Sequence, residues 1–288
     1  MMHKIFLALL TLFLVDFAWS RAKAEMCSGD QFVPLHFAYG LPYIEIKLNG
    51  SIVRAYIDTG SPRTLAGSGL KLRPSSPEQV TRFESYYGDL EAYRAHVDSF
   101  MIGKCRLGSR QVHSFREEDS HAVDEMFRRD LILGRDFLGQ FDIIIDGGRS
   151  IFIFRAAKNS RDRTESAYTI KYEIDNRKGI CMFDTGFSSR ETILVHYDSP
   201  LRRPTARSDV LDPGLHVASS SGEADFLWVS GQIAEGPTSS YLVAIEKKGV
   251  DRNYKTLDYC VVGSRFIRDK SIIMMSSKRM VNWIRPSK

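Results

Sequence analysis

Two aspartates, each followed by threonine and glycine, are the residues of this 288-residue chain whose types and spacing could do chemistry. The copies are Asp58-Thr59-Gly60 and Asp184-Thr185-Gly186, and an apolar run precedes each of them. Two carboxyls held a few ångströms apart cannot both ionise cheaply, so they share a proton and titrate as a unit. Such a pair can accept a proton from water with one oxygen and donate one to a carbonyl with another.

A second signature follows each copy and indicates that the chain is an internal duplication. Leu131–Leu138 (LILGRDFL) lies downstream of the first copy, and Cys260–Ile267 (CVVGSRFI) lies downstream of the second. The alignment continues without a gap, since Ile143–Ile145 falls on Ile272–Met274. A repeat of this kind predicts that each half of the chain is one structural unit. Each half would then contribute one acidic residue to a shared centre.

The elements that must position the two aspartates are predicted to be β-hairpins. Before Asp58, apolar residues alternate on both sides of Asn49-Gly50, and Asn-Gly between alternating runs is a strong hairpin signal. Before Asp184, alternating residues flank a turn that we place at 175–179. Each hairpin therefore ends at an aspartate. Helices are expected to be few and short, with a brief turn at Gly134–Gln140.

The N-terminus predicts an export signal that is cleaved. Lys4 precedes an apolar stretch from Ile5 to Val15, and Ala22-Lys23-Ala24 supplies the small residues that a signal peptidase reads. The stretch is short for a membrane span, and an uncleaved anchor is the competing interpretation. The predicted domains are a signal peptide (1–24), a first lobe (25–157) and a second lobe (158–288).

Charge and cysteine content narrow the class of protein. The formal net charge is +5 and no basic stripe runs along the chain, so we expect no nucleic acid partner. The four cysteines are even in number, which in an exported chain suggests two disulfides. Cys181 and Cys260 would bond if their strands were neighbours, and the alternative of two buried free thiols stays open. We expect the protein to be secreted or periplasmic.

The sequence Ile57–Ser61 after a hairpin, together with Leu131–Gly134 before a last pair of strands, resembles the aspartic proteases of the pepsin and retropepsin clan. The likeness covers both halves, from Tyr43 to Trp283. The single-chain duplication is pepsin-like, whereas the short halves are similar to retropepsin subunits fused in tandem. The resemblance implies an all-β, two-lobed fold in which each lobe is a closed or partly open small β-barrel. It also implies a base of roughly six strands between the lobes.

The resemblance assigns roles to the residues that match its motifs. Asp58 and Asp184 are the implied catalytic pair, which hydrolyses a peptide bond through an activated water, with no metal and no cofactor. Residues implied to support the pair are Thr59, Gly60, Ser61, Thr185 and Gly186. The threonines would hydrogen-bond across the lobe interface, and the glycines would permit tight turns. Gly134 and Gly263 would let a strand pass close behind each turn.

The residue after each glycine differs between the halves. The pepsin-like pattern has a hydroxyl there that bonds to the outer carboxylate oxygen, and Ser61 supplies one in the first half. Phe187 occupies the place in the second half, so one donor to the ionised pair is missing. Loss of that donor should raise the lower pKa of the pair. We therefore expect an activity optimum less acid than that of a two-hydroxyl enzyme.

A substrate-covering flap also belongs to the implied pattern. Tyr86, Tyr87 and Gly88 resemble the tyrosine-glycine tip of such a flap, and the strand-like run Tyr93–Ile102 follows them. One of the two tyrosines would then hydrogen-bond near the dyad. The alternative is that the adjacent tyrosines are a core-plus-surface pair of an ordinary strand.

Other function classes have weaker support. The sequence lacks a Gly-x-Ser-x-Gly nucleophile motif and a His-Glu-x-x-His metal motif. The remaining rival is a catalytically silent member that uses the same cleft as a peptide- or partner-binding module. We expect an aspartic endopeptidase whose partner is a peptide or protein substrate. It should act as a monomer, with no stable membrane span after signal cleavage.

Overall fold

The computed structural model describes residues 29–75, 80–85, 88–115, 127–157, 167–174, 176–188, 193–195, 224–246 and 260–284. The strands before residue 158, here the first half, are β1 (Gln31–Pro34), β2 (His36–Ala38), β3 (Leu41–Leu48), β4 (Ser51–Ile57), β5 (Leu65–Ala66), β6 (Arg73–Pro74), β7 (Val80–Ser85), β8 (Gly88–Ile102), β9 (Cys105–Phe115), β10 (Leu131–Leu133), β11 (Phe141–Asp146) and β12 (Ile151–Ala156). Those of the second half are β13 (Thr169–Ile174), β14 (Arg177–Asp184), β15 (Ile193–Val195), β16 (Ala224–Ile233), β17 (Ser239–Glu246), β18 (Cys260–Gly263), β19 (Ser271–Met275) and β20 (Met280–Trp283).

Helical structure among these residues is brief, so the protein is all-β as predicted. The helical segments are α1 (Arg135–Leu138) and two 3₁₀ turns, Ser68–Leu70 and Ser264–Ile267. The helix α1 lies within the predicted turn at Gly134–Gln140. None of the helices in the described ranges is both long and apolar enough to cross a membrane. The predicted signal peptide (1–24) and the boundary between lobes at 157/158 stay predictions, because 1–28 and 158–166 lie outside the described residues.

Both predicted hairpins form. In the first, β3 pairs antiparallel with β4 across Asn49 and Gly50, and both turn residues have positive φ, 49° and 87°. A two-residue turn of this kind matches the right-handed twist of the strands. In the second hairpin β13 ends at Ile174 and β14 begins at Arg177, so the turn predicted at 175–179 is too long. The charged residues after position 176 suggested a longer turn. Lys178 instead lies within β14, where it forms an ion pair with Glu173 of β13 at 3.2 Å.

The duplication read from the sequence is present strand by strand. The run β3-β4-β10-β5-β9-β8 of the first half corresponds to β13-β14-β18-β15-β17-β16 of the second. In each run one further pairing, β3 with β8 or β13 with β16, joins the two ends. Each half therefore curls into a six-stranded unit. Because these strands continue into sheets of nine and eleven strands, neither unit is clearly a closed barrel.

A six-stranded base joins the two halves. Its order is β1-β12-β11-β19-β20-β13, with three strands from each half. At its centre β11 pairs antiparallel with β19, and Ile144 lies opposite Ile273. These two isoleucines are also equivalent in the sequence repeat, so the pseudo-two-fold axis of the molecule passes between them. The base thereby joins strands of both halves in one hydrogen-bonded sheet, which continues directly into the second aspartate-bearing hairpin, β13 and β14.

The main hydrophobic core runs through both halves and includes a disulfide. Ile44 and Ile143 from the first half and Ile170 and Val262 from the second belong to one buried cluster. Cys181 on β14 and Cys260 on β18 are bonded within this cluster, with Cα atoms 4.9 Å apart. The strands are parallel neighbours, which brings the two side chains together. Of the two alternatives left open by the sequence, the disulfide is therefore confirmed.

This disulfide closes a long loop, and its removal should lower stability. Its cysteines are 79 residues apart, so reduction frees much conformational entropy in the unfolded chain. We expect the double variant Cys181→Ala, Cys260→Ala to lose about 2–4 kcal/mol of unfolding free energy in urea denaturation. The matched control is the oxidised parent in the same buffer. Equal denaturation midpoints would contradict a stabilising role for the bond.

Candidate active site

Each aspartate lies at the end of its hairpin, beside the glycine of the second signature. The Asp58 N–H donates to the carbonyl oxygen of Leu133, at 3.1 Å, because β4 and β10 run parallel. In the second half Asp184 is directly opposite Gly263 in the parallel pair β14 and β18. Gly134 and Gly263 leave no room for a Cβ, which would lie 2.2 Å from the Arg63 carbonyl oxygen in the first half and 2.6 Å from Phe187 in the second. The strand therefore passes close behind each turn.

The two turns are joined by reciprocal hydrogen bonds between threonines. The Thr59 N–H donates to Thr185 Oγ1 at 3.0 Å, and the Thr185 N–H donates to Thr59 Oγ1 at 2.9 Å. Each hydroxyl also donates to a carbonyl oxygen of the opposite half. The Thr59 hydroxyl donates to that of Phe183 at 2.7 Å, and the Thr185 hydroxyl donates to that of Ile57 at 2.6 Å. Both threonines are fully buried. The pattern is the one that the resemblance implies.

This cross-bonding brings the two carboxyls into contact. The carboxyls of Asp58 and Asp184 lie close enough for the charge of one to affect the pKa of the other, so the two groups titrate as a linked pair. Each carboxyl also lies against the glycine of the opposite turn. A Cβ on Gly60 would lie 2.4 Å from the Asp184 carboxyl, and one on Gly186 would lie 2.4 Å from that of Asp58. The two turns can approach this closely only because both positions are glycine.

The backbone donors around the two carboxyls are unequal. The N–H groups of Gly60 and Ser61 both donate to Asp58 Oδ1, each at 2.9 Å. Asp184 Oδ1 accepts the Gly186 N–H at 2.8 Å, whereas the Phe187 N–H donates to the backbone oxygen of Asp184. Hydrogen bonds from N–H groups stabilise the ionised form of a carboxyl. The geometry therefore favours a charged Asp58 and a protonated Asp184.

Burial raises the pKa of both carboxyls above the usual range of an aspartate. For Asp58 this effect is opposed by its two backbone donors and, less strongly, by the positive charge of Arg135. For Asp184 burial and the nearby charge of Asp58 both raise the pKa, against one backbone donor. The nearby charges therefore favour the same arrangement as the hydrogen bonds, with Asp58 ionised and Asp184 protonated.

The Ser61 hydroxyl was expected to bond to the outer oxygen of the Asp58 carboxylate, and the structure shows a different partner. The hydroxyl donates to the carbonyl oxygen of Arg63 at 2.7 Å and not to the outer oxygen of Asp58. Ser61 contacts the dyad through its backbone N–H, which alanine could supply equally well. In the second half Phe187 is buried and packs against Gly263. In this structure neither half directs a hydroxyl from this position onto the dyad.

Arg135 is a site residue that the sequence reasoning missed. It is buried, and its Nη1 atom donates to the carbonyl oxygens of Thr59 at 3.1 Å and Gly60 at 2.6 Å. The equivalent position in the second half is Ser264, whose Oγ lies 3.0 Å from the Phe187 carbonyl oxygen. A guanidinium therefore braces the first turn, and a hydroxyl braces the second. Comparison of Gly134-Arg135 with Gly263-Ser264 could have revealed this difference.

The predicted flap falls partly outside the described residues. Strands β7 and β8 form an antiparallel hairpin in which Ser85 pairs with Gly88, so a hairpin is present at the predicted place. Tyr86 and Tyr87 are not among the described residues, and Gly88 is described only as the first residue of β8. The tyrosine contact to the dyad stays a prediction.

A second hydrophobic cluster lies within the first half of the chain. It includes Tyr56, which lies on β4 two residues before Asp58. The cluster also includes residues of β8 and β9, next to the β7–β8 hairpin. Its members are Leu41, Tyr56, Leu65, Ala92, Phe115, Phe127 and Ile132. Its aromatic members are Tyr56, Phe115 and Phe127, and all of the cluster is buried.

Comparison with known proteins agrees with this geometry. No protein-family model matches the sequence, and no curated protein sequence matches it significantly. Among solved structures, a retropepsin-like aspartic protease from Rickettsia conorii covers 44% of this chain and 89% of its own at 18% identity, with a TM-score of 0.29. An aspartic proteinase from Irpex lacteus covers 87% of this chain and 96% of its own at 12% identity, with a TM-score of 0.51. On the latter similarity and the paired Asp-Thr-Gly turns, this chain has the pepsin-like fold of the aspartic proteases.

Proposed function

We propose that the protein is an aspartic endopeptidase whose catalytic residues are Asp58 and Asp184. The observation that carries this proposal is the close approach of two buried carboxyls, one from each half, each of which lies against the glycine of the opposite turn. Pairing two buried carboxyls is costly, because both are removed from water and repel each other when ionised. Such perturbed groups at a shared centre are typical of acid–base catalysis.

The proposed mechanism divides the two chemical roles by the hydrogen bonds of each carboxyl. Asp58, which accepts two backbone N–H groups, is the base that takes a proton from the attacking water. Asp184 is the acid that donates its proton to the oxygen of the scissile carbonyl. Water adds to the carbonyl carbon and forms a neutral diol. Asp58 then donates its proton to the amide nitrogen while Asp184 takes a proton from one hydroxyl of the diol, so the C–N bond breaks, the carboxylic acid forms and the dyad again holds one proton, on Asp184.

The partner of this site is proposed to be a peptide or protein in an extracellular or periplasmic space. One chain supplies both carboxyls and both threonines, so a single copy suffices and we propose a monomer. The Cys181–Cys260 disulfide supports an oxidising compartment.

Removal of either carboxylate should abolish hydrolysis. We expect Asp58→Asn and Asp184→Asn each to lower kcat by about 10²–10⁴-fold, because an amide can neither accept the proton of water nor share the dyad proton. Cleavage of a peptide library by the purified mature chain measures this loss. The matched control is Asp98→Asn, since the Asp98 side chain is 82% exposed at the surface.

Near-full activity of Asp184→Asn would show that the two halves do not form one catalytic dyad. A parent protein that binds library peptides but cleaves none of them would instead favour the catalytically silent binding module. These two results lead to different conclusions about the same cleft.

The raised pKa of Asp184 also predicts a pH-dependent change in stability. A carboxyl whose pKa is higher in the folded chain than in the unfolded chain binds more protons when folded, so stability falls as pH rises between those two pKa values. Asparagine cannot ionise and escapes this loss. The melting temperature of Asp184→Asn should therefore equal that of the parent near about pH 3 and exceed it by about 2–4 °C near about pH 8. A constant difference between the two proteins across this range would contradict the raised pKa.

The position of the activity optimum follows from both pKa shifts. The acid limb requires one ionised carboxyl, and burial raises the pKa of Asp58, so activity should be lost at a higher pH than for an ordinary aspartate. We expect an optimum of about pH 5 to 6. Because the Ser61 hydroxyl bonds to Arg63, Ser61→Ala should leave the acid limb of kcat/KM unchanged. A parent optimum near about pH 2 to 3 would contradict the raised pKa of the dyad.

A further inference from the structure

The Arg135 guanidinium places a positive charge against the turn that follows Asp58. Its Nη1 atom lies 3.1 Å from the Thr59 carbonyl oxygen and 2.6 Å from that of Gly60, and it donates to both. Arg135 is the first residue of α1, and it is buried. An arginine stays protonated in proteins, so this donor carries a full charge as well as a hydrogen.

Each of these two carbonyls belongs to a peptide group whose N–H donates to Asp58. The Thr59 carbonyl shares its peptide group with the Gly60 N–H, and the Gly60 carbonyl shares its own with the Ser61 N–H. Both N–H groups donate to Asp58 Oδ1, each at 2.9 Å. Arg135 and the Asp58 carboxyl therefore bind opposite ends of the same two peptide groups. Hydrogen bonds in such a chain polarise one another, so the guanidinium strengthens both N–H donors.

The second half of the chain has an uncharged residue, Ser264, at the equivalent position. Its Oγ atom lies 3.0 Å from the Phe187 carbonyl oxygen and 2.9 Å from that of Gly40. Neither carbonyl shares a peptide group with the Gly186 N–H, which is the backbone donor to Asp184 Oδ1. The chain of hydrogen bonds found in the first half is therefore not repeated by this serine.

The ionisable groups around Arg135 favour one negative charge on the dyad. Burial lowers the pKa of Arg135, and the charges of Asp58 and Asp184 raise it. From the second half, the Arg279 charge lowers this pKa and the Tyr168 phenol raises it. The guanidinium carbon of Arg279 lies 4.9 Å from the Tyr168 ring centroid. Because burial and a second guanidinium both act against the charge of Arg135, an ionised carboxyl nearby stabilises it.

We propose that Arg135 is a positioning residue, which acts through the two peptide groups to keep Asp58 as the ionised member of the dyad. The inference rests on the proposed peptidase function, because it assigns the base of that reaction to Asp58. Arg135 itself would touch neither the water nor the substrate. A neutral donor in its place could hold the turn, but the Gly60 and Ser61 N–H groups would then be weaker donors.

The pH dependence of peptide cleavage in Arg135→Gln and Arg135→Lys tests this role. Glutamine keeps an N–H donor and removes the charge, so the ionised Asp58 becomes less stable and its pKa rises. We expect the acid limb of kcat/KM to move upward by about one pH unit in Arg135→Gln. Activity at about pH 4 should then fall about ten-fold more than activity at the optimum. Arg135→Lys keeps the charge and should keep the parent profile.

Arg110 provides the matched control, because its guanidinium also packs against α1. Its guanidinium carbon lies 5.1 Å from the Phe137 ring centroid, and its Nη1 atom donates to Gln140 Oε1 at 3.0 Å. Arg110→Gln should leave the acid limb unchanged. An Arg135→Gln profile that overlays that of the parent would overturn the proposal. So would an equal shift in Arg135→Lys or in Arg110→Gln, since bracing of the fold alone would then explain the result.

Carbon-13 NMR of protein labelled at the aspartate carboxyls follows the same ionisation without a substrate. The two signals are assigned by their absence from Asp58→Asn and Asp184→Asn. In the parent, Asp58 should ionise at lower pH than Asp184, and this order requires no variant of Arg135. Ionisation of Asp184 first would overturn the inference. If the parent cleaves no library peptide, the peptidase proposal fails alone, and a rise in the Asp58 pKa in Arg135→Gln still supports this role of Arg135.

Discussion

The reciprocal hydrogen bonds between Thr59 and Thr185 are the interaction on which the rest of the site depends. Two carboxyls in contact repel each other whenever both are charged, so a rigid framework must hold them together. Here each threonine N–H and each hydroxyl finds its partner in the opposite half, and both residues are fully buried. Breaking one of these bonds would leave a buried polar group without a partner, which costs about 1–3 kcal/mol. The network thus offsets the cost of keeping the acidic pair close.

The framework is symmetric, but the groups it presents are not. Backbone pairing repeats strand by strand around an axis between Ile144 and Ile273. Side chains break this symmetry, since a buried guanidinium braces the first turn and a hydroxyl braces the second. The number of backbone donors differs as well. Two N–H groups donate to the Asp58 carboxyl, and one donates to the Asp184 carboxyl. Two identical carboxyls in a symmetric framework therefore lie in different surroundings, with fewer backbone donors to Asp184 than to Asp58.

The two halves are also joined away from the threonines. In the six-stranded base, β11 of the first half pairs with β19 of the second. The turn at Tyr39 and Gly40 accepts hydrogen bonds from the hydroxyls of Ser188 and Ser264 in the second half. These connections add to those between the threonines and restrict relative movement of the two halves.

The sequence by itself determined the features that depend on local patterns. Alternation around Asn49-Gly50 was sufficient to predict the first hairpin, because strand periodicity and turn chemistry act over a few residues. The repeated Asp-Thr-Gly, with its second signature, predicted the duplication and a centre shared by Asp58 and Asp184. Only the tertiary structure decided where the Ser61 hydroxyl points, that Cys181 bonds to Cys260, and that Ser264 contacts Gly40 across 224 residues of chain. These outcomes depend on which of several acceptors or partners lies nearest after folding, and a hydroxyl or thiol carries no local signal of that choice.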